Sequence, residues 1–421
     1  MTEAGCYAVV EVPSGKTTLF IERLPAEYAI WMGVIHPPAT FLAKYGVDEC
    51  LFVDELPAWL AAHPSVAAHA SAAAAEGAAA EGAVGGALPA IHTLYGLNSD
   101  SGNSGPPLPN FAGFDKLAST YAVLRPIAVE VRVLKSAAEV AVLQKVNDVS
   151  SDAHLATMRH AKPGMVEYQL ESLFKHHCYY NGGARNAAYV GICGCGPNAA
   201  TLHYGHAGAP NDRLIDDGEM MLSDMGCEIS CYCSDITCSY PIASNGKFTE
   251  DQRFIFETVA LCQTKVMRAM AVGVEWASMH ELTYRTICER LVEWGVLVGP
   301  VDAMMEANVG SFFMPHGLGH LIGCDTHDVG GYNLATSVRD KRRGFKSLRM
   351  QRPLIAGMVL TVEPGLYFID VLLNELLSSP ETKCFVVSWR EGGLWLGRVL
   401  VLLKGVVHQQ VFPWSFMLQK C

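Results

Sequence analysis

The sequence predicts an α+β protein in two parts, a small α/β unit followed by a larger unit in which helices and strands come in two sets. Three observations carry this. Short β-rich stretches, CYAVVEV and TTLFIERL, flank the turn Pro13-Ser14-Gly15-Lys16 near the start of the chain. Amphipathic helical segments begin near Val129, after a stretch rich in Gly, Pro, Ser and Asn. A β-rich run, MMLSDMGCEISCYCSDITCSYPI, separates the first pair of those helices from the second.

The bulk properties set limits on function. With 421 residues, half of them apolar, the chain can bury a large core and is long enough for two or three domains. Its formal net charge of −11, with no run of five basic residues, argues against a nucleic-acid or anionic-membrane surface, because phosphate binding needs clustered Lys and Arg. A small-molecule partner fits better. Residues 1–12 contain neither a basic n-region nor a long apolar core, so a cytoplasmic protein is expected. Arg398 and Lys404 interrupt the best candidate for a spanning helix, so no membrane insertion is expected either.

Taken in order, residues 1–60 read as a hairpin followed by Ala- and Trp-containing helical segments. The first strand begins so close to Met1 that this domain, spanning 1–120, is expected to be truncated. Residues 67–90 are Ala- and Gly-rich with no side chain large enough to anchor a helix, which predicts a surface insertion. The boundary falls at about Val129. From Val140, apolar positions at Leu143, Val146, Val149, Leu155 and Met158 predict a helix that stops at Lys162-Pro163-Gly164. A second helix runs from about Val166 to Tyr180, a third starts at Thr249 with Gln252 completing a capping box, and a fourth follows Val274. The β-rich run between the second and third reads as a hairpin. KPGMVE at Lys162 and AVGVEW at Ala271 each open a helix, a faint internal echo consistent with two related halves.

Fourteen cysteines are too dilute for a disulfide scaffold. The group Cys193, Cys195, Cys227, Cys231, Cys233 and Cys238 lacks the two-residue spacer of zinc knuckles and reads as buried small apolar side chains. The hard ligands lie elsewhere, in LSDMG, SDIT, HGLGH and TVEPG: Asp224, Asp235, His320 and Glu363. Singly, such residues are most often turn or solvated positions. Asp224 and Asp235, however, stand on adjoining strand-like runs of apolar residues, where an unpaired carboxylate is costly and a cation offsets the cost. Three carboxylates and one imidazole suit manganese, iron or cobalt better than a thiolate zinc site. Two such ions held about 3.5 to 4 Å apart by bridging carboxylates do hydrolytic chemistry. His316 and His320 are flanked by Gly317 and Gly319, without the H-E-x-x-H pattern, so a tight turn is expected there rather than a zinc-binding helix.

The segments LHYGHAGAPND, SDMG, SDITCSYP, FMPHGLGH, DTHDVGGY and LTVEPGLYF closely resemble successive motifs of the prolidases, in the creatinase, aminopeptidase P and methionine aminopeptidase clan. The resemblance is nearly continuous from Ala138 to Leu373, and weaker over CYAVVEVPSGKTTLFIERLP. It implies a pita-bread catalytic domain at 129–373 and hydrolysis of dipeptides with a C-terminal proline. It also implies two Mn2+ per subunit, with Asp224 on the first ion, Asp235 bridging, and His320 and Glu363 on the second. By the same resemblance His203 and His327 are catalytic and surround the substrate, Tyr189 lines the pocket, and Arg349 meets the prolyl carboxylate. A homodimer is the family's usual assembly. Arg is suited to a bidentate carboxylate contact, which would select dipeptides over longer chains.

The family also carries a second bridging Glu on a late strand, in a G-x-R-x-E-D-type motif that this sequence lacks. Residues 374–421 read as a divergent tail whose last acid, Glu391, sits in a turn-like Arg-Glu-Gly-Gly context with no acidic residue after it. Impaired activity is therefore expected, along with the loss of a strand from the central sheet. Two alternatives stand beside this one: a peptidase-like binding module without activity, and an aminopeptidase P-like enzyme, against which Arg349 weighs.

Overall fold

A computed structural model of the chain describes residues 4–12, 14–66, 91–97, 104–105, 108–111, 113–117, 119–206, 208, 210–333 and 338–387, with the backbone of three short strands between 401 and 417. The chain divides into two compact units, residues 1–97 with 103–127 and residues 98–102 with 128–421. Residues 67–90 and Glu391 lie outside the described residues.

In the first unit β1 (Tyr7–Val10) and β2 (Thr17–Ile21) form the expected hairpin, with Tyr7 opposite Phe20 and Val10 opposite Thr17. Strand β3 (Glu49–Phe52) adds to β2 in parallel, which requires a crossover, and the helix Pro38–Tyr45 lies within it. Phe20, Leu56 and Leu60 make the core of this sheet's buried face, and Trp59 meets Phe20 edge-on at 5.5 Å between centroids.

The second unit is built from two similar sets of elements. Helix α1 (Ala137–His160) starts at Ser136, whose hydroxyl accepts from Glu139 N while the Glu139 carboxylate accepts from Ser136 N. It packs on α2 (Glu167–Gly182), which buries Leu170, Phe174 and Cys178, four residues apart and so on one face. Below them β4 (Ile192–Cys195), β5 (Glu219–Met225) and β8 (Ile236–Ile242) form an antiparallel sheet with β5 in the centre. Helix α3 (Glu250–Ala269) begins at the expected capping box of Thr249 and Gln252, and packs on α4 (Trp276–Glu293). The internal echo has a structural counterpart. Gly164 and Gly273 take positive φ of 84° and 86°, and each is followed by an isolated antiparallel bridge, Val166 to Leu214 and Glu275 to Pro353, at the start of a helix.

In the second set β9 (Val359–Val362) pairs antiparallel with β12 (Gly405–His408), which pairs with β13 (Ser415–Met417). Short strand β10 (Gly365–Leu366) pairs with β11 (Val401–Leu402). This corrects the expectation that the tail leaves the sheet a strand short. The segment Gly405-Val406-Val407-His408, with two β-branched residues at its centre, pairs with β9 through backbone bonds that need no particular side chain.

The core between α3, α4 and β9 contains Trp276, Tyr284, Phe313 and Phe345, and within it lies one costly residue. His280 is fully buried between Tyr284 and Phe345, at 4.2 and 4.8 Å between ring centroids, and among the described residues neither ring nitrogen has a hydrogen-bond partner. Burial, reinforced by the nearby charges of His316 and Arg342, pushes its pKa down to about 3. The folded ring thus stays neutral while the unfolded ring takes up a proton below about pH 6.5, so the folded state loses stability as pH falls through that value. His280→Phe is expected to raise the Tm, and its advantage is expected to grow by about 1.4 kcal/mol per pH unit below 6.5. Thermal melts of both proteins at pH 7.5 and 5.5 check this, and an advantage that stays constant would contradict it.

Candidate metal centre

The hairpin around Asp224 explains why two carboxylates meet. Asp224 on β5 stands directly opposite Thr237 on β8, and directly opposed residues of an antiparallel pair share a face. Asp235 lies two residues before Thr237 and therefore on that same face. Between the two strands the chain narrows into β6 (Cys227–Ile229) and β7 (Tyr232–Cys233), turned by Ser230 and Cys231 at φ of 52° and 65°. Gly226 allows the crossing: a Cβ there would lie 1.9 Å from the Ser234 carbonyl oxygen.

His320 and Glu363 come from the other set of elements. Residues 315–319 form no helix, as expected from the glycines, and a Cβ on Gly319 would lie 2.0 Å from the Thr361 carbonyl oxygen. That contact lets the His320 segment run against β9. Thr361 Oγ1 accepts from His320 N at 3.0 Å and donates to Glu363 Oε1 at 2.8 Å, so one hydroxyl sets both side chains. His320 Nδ1 meets the Leu321 carbonyl at 2.9 Å, which turns Nε2 toward Asp235 Oδ2 and Glu363 Oε1 at 3.1 and 3.2 Å. The Tyr189 hydroxyl lies 2.6 Å from Asp224 Oδ1 and 2.8 Å from Asp235 Oδ1.

The electrostatics follow from this packing. Burial opposes a charged His320 ring, yet its hydrogen bonds to Asp235 and Glu363 outweigh burial and push the pKa up to about 9. Burial, then the charges of Asp224 and Asp235, hold the Tyr189 phenol well above its usual value, so it stays a donor. One phenolic proton cannot serve two carboxylates at once, and one imidazolium does not neutralise three acids. Asp235 is fully buried and Asp224 nearly so. An excess of negative charge on hard oxygen donors fits divalent cations. Asp235, His320 and His327 offer ligand atoms within 4.8 Å of one another, and the His327 ring meets the His320 ring edge-on at 4.4 Å.

The cluster opens on a cavity of about 840 Å3. Tyr189, His203, Asp224, Asp235, His327, Arg349 and Glu363 all line it, whereas His320 stands behind the wall. His203 is exposed on a loop, and Arg349 is half-buried next to Leu348, whose carbonyl accepts from the Tyr332 hydroxyl at 2.6 Å and from Arg339 Nη1 at 2.7 Å. Sequence reasoning missed the roles of Thr361, Tyr204, Arg339, His316 and Tyr367. His316 Nε2 meets the Tyr367 hydroxyl at 3.1 Å in the cavity wall. Only His316 had a local signal, its spacing from His320 within PHGLGH. The cysteines read as buried apolar groups are so for Cys193, Cys195, Cys227, Cys233 and Cys238, while Cys231 is exposed at the hairpin tip.

A buried hard-ligand cluster at the base of a cavity, on two paired sets of strands and helices, defines a metal-dependent hydrolase of the pita-bread fold. The model of metallopeptidase family M24 matches residues 141–398, beyond the point at Leu373 where the motif resemblance stops, and that of the aminopeptidase P N-terminal domain matches residues 1–69. The Xaa-Pro dipeptidase of Homo sapiens is 48% identical over 387 residues, covering 92% of this chain and 73% of that one. A probable Xaa-Pro aminopeptidase of Phaeosphaeria nodorum is 33% identical over 414 residues, covering 97% and 81%. Among solved structures, a variant of Escherichia coli aminopeptidase P in complex with substrate aligns with a TM-score of 0.68 at 25% identity, covering 96% of this chain and 79% of that one. The chain belongs to metallopeptidase family M24, and it is a hydrolase. Among the described residues no helix is long and apolar enough to cross a membrane.

Proposed function

We propose that this chain is a cytoplasmic Xaa-Pro dipeptidase whose catalytic domain is residues 129–373, with residues 1–120 a separate α/β domain and 374–421 a divergent tail. The observation that carries the reading is the convergence of Asp224, Asp235, His320 and Glu363 at a cavity whose wall also bears Arg349. The four would hold two divalent cations, manganese by preference, with Asp235 between them. Such cations polarise a scissile carbonyl and lower the pKa of water enough to make a nucleophile at neutral pH.

The remaining residues bind and orient. Arg349 would pair with the carboxylate of the C-terminal proline and so set the length of the substrate. His327, against His320, would hydrogen-bond the scissile carbonyl as negative charge develops on its oxygen, and His203 would close on the proline side. Tyr189 would keep its proton and hold the two aspartates at fixed spacing. The ligand set, three carboxylates and one imidazole, lacks the fourth carboxylate of the family's five ligands, so activity in this chain would be impaired.

The test is a comparison of substrates. Gly-Pro is expected to be hydrolysed about 30-fold to 1000-fold more efficiently than Gly-Pro-amide, which lacks the carboxylate; that ratio corresponds to about 2 to 4 kcal/mol for a bidentate charged contact. Rates are measured with excess manganese on this chain and on a chimera carrying a relative's C-terminal segment after Leu373. Equal efficiencies on the two substrates rule out the role of Arg349, and an appetite for longer peptides would favour the aminopeptidase reading.

A further inference from the structure

Outside the cavity, one buried acid has more donors than any ordinary helix residue needs. Glu167, in the first turn of α2, is fully buried. Its Oε1 accepts from Cys195 N at 2.8 Å and from Asn198 Nδ2 at 3.1 Å. Its Oε2 accepts from the Tyr204 hydroxyl at 2.8 Å and from Arg213 N at 3.2 Å. Asn198 Nδ2 also donates to the Tyr204 hydroxyl at 2.8 Å. A carboxylate at a helix N-terminus is favoured by the helix dipole, and four donors compensate its burial.

All of those donors belong to the segment from Cys195 to Arg213, which carries Leu202, His203 and His206 into the cavity wall. The segment's far end is pinned again, where Arg213 forms a bidentate pair with Glu219 at 2.6 Å on each arm. Tyr204 is the residue that joins the two worlds. Its hydroxyl is bound to Glu167, and its ring packs with Ile192, Ala199, Leu222 and Tyr367, a cluster that forms part of the cavity wall. His203 immediately precedes Tyr204, so the anchorage of Tyr204 fixes the backbone from which the imidazole projects.

We propose that Glu167 is a positioning residue for His203, acting through Tyr204 and the backbone at Cys195 and Arg213 to hold the imidazole in the cavity wall. This rests on the dipeptidase reading only for its kinetic consequence. Sequence pattern alone does not reveal it, because the contacts join residues 28 to 46 positions apart.

The experiment uses the full chain with 13C-labelled histidine imidazoles, the His203 resonance being assigned by its loss in His203→Gln. Glu167→Gln and Tyr204→Phe are each expected to shift or broaden the His203 signal while the signal of His280, buried in the core of the second set, stays in place as a reporter of the intact fold. On Gly-Pro both variants are expected to lose about 10-fold to 100-fold in kcat with KM changed less than about 3-fold, and the double variant is expected to be no slower than Glu167→Gln alone. An unmoved His203 signal in folded Glu167→Gln overturns the proposal, as do additive kinetic losses. If Glu167→Gln does not fold, Tyr204→Phe alone decides: an unmoved His203 signal there overturns the link through Tyr204. The kinetic arm is read on the chimera joined after Leu373, whose ligand set is complete; should that chimera not cleave Gly-Pro at all, the dipeptidase reading fails while the resonance of the full chain still tests the positioning.

Discussion

Asp235→Asn is expected to weaken manganese binding by at least about 100-fold and to leave no second ion bound at millimolar manganese, by analogy with the 10- to 100-fold costs of removing even supporting groups around a metal. Asp235 is the most enclosed of the four proposed ligands: fully buried, within hydrogen-bond reach of Tyr189 on one oxygen and of His320 on the other. Both oxygens thus face donors, as a bridging carboxylate's must. An amide of the same shape presents one oxygen and one N–H2 group, carries no charge, and leaves two cations to repel each other with one fewer anion between them. Asp224→Asn removes a charge from one side of the pair only, and is expected to convert a two-step titration into one step of nearly unchanged affinity. Calorimetric titration with manganese distinguishes these outcomes without any need for turnover. Two tightly bound ions in Asp235→Asn would sink the bridging assignment.

Asp224 and Asp235 were legible in the sequence for a physical reason: strand alternation converts a spacing of eleven across a hairpin into a shared face, and apolar neighbours made unpaired burial implausible. The glycines beside His320 excluded a helix, and the structure turns there. Helix starts at Thr249 and near Val166 were readable from caps and stops, because those signals are local. What joins the two sets is not local. Nothing in TVEPG announces that the hydroxyl of Thr361 sets both His320 and Glu363, a link between residues 41 positions apart in one direction and two in the other. His280 looks like any helix histidine until the aromatic rings of Tyr284 and Phe345 close over it. The tail departs from expectation for a related reason. Its lack of family motifs predicts a missing strand, but backbone pairing is indifferent to most side chains, and Val406 stands opposite Thr361 all the same.

Metal stoichiometry in this chain depends on the same pairing. Since β12 pairs with β9, the expected defect is one of ligands and not of architecture. Residues 392–421 contain no Asp or Glu, so the strand that pairs with β9 has no carboxylate to offer. Two divalent cations carry four positive charges against three from Asp224, Asp235 and Glu363, and water filling the open positions adds neither charge nor fixed direction. One ion should therefore bind well and the second poorly. Elemental analysis of the purified chain, dialysed against micromolar manganese, is expected to find clearly fewer than two ions per polypeptide. Gly-Pro turnover is expected to lie at least about 100-fold below that of the chimera joined after Leu373, because the nucleophile would be poorly placed. Glu391 is the last acid of the sequence, and Glu391→Gln provides the control: on this reading it changes neither stoichiometry nor rate. If the unmodified chain instead binds two ions and turns over at the chimera's rate, and Glu391→Gln abolishes both, then the tail supplies the fifth carboxylate after all and the centre is complete.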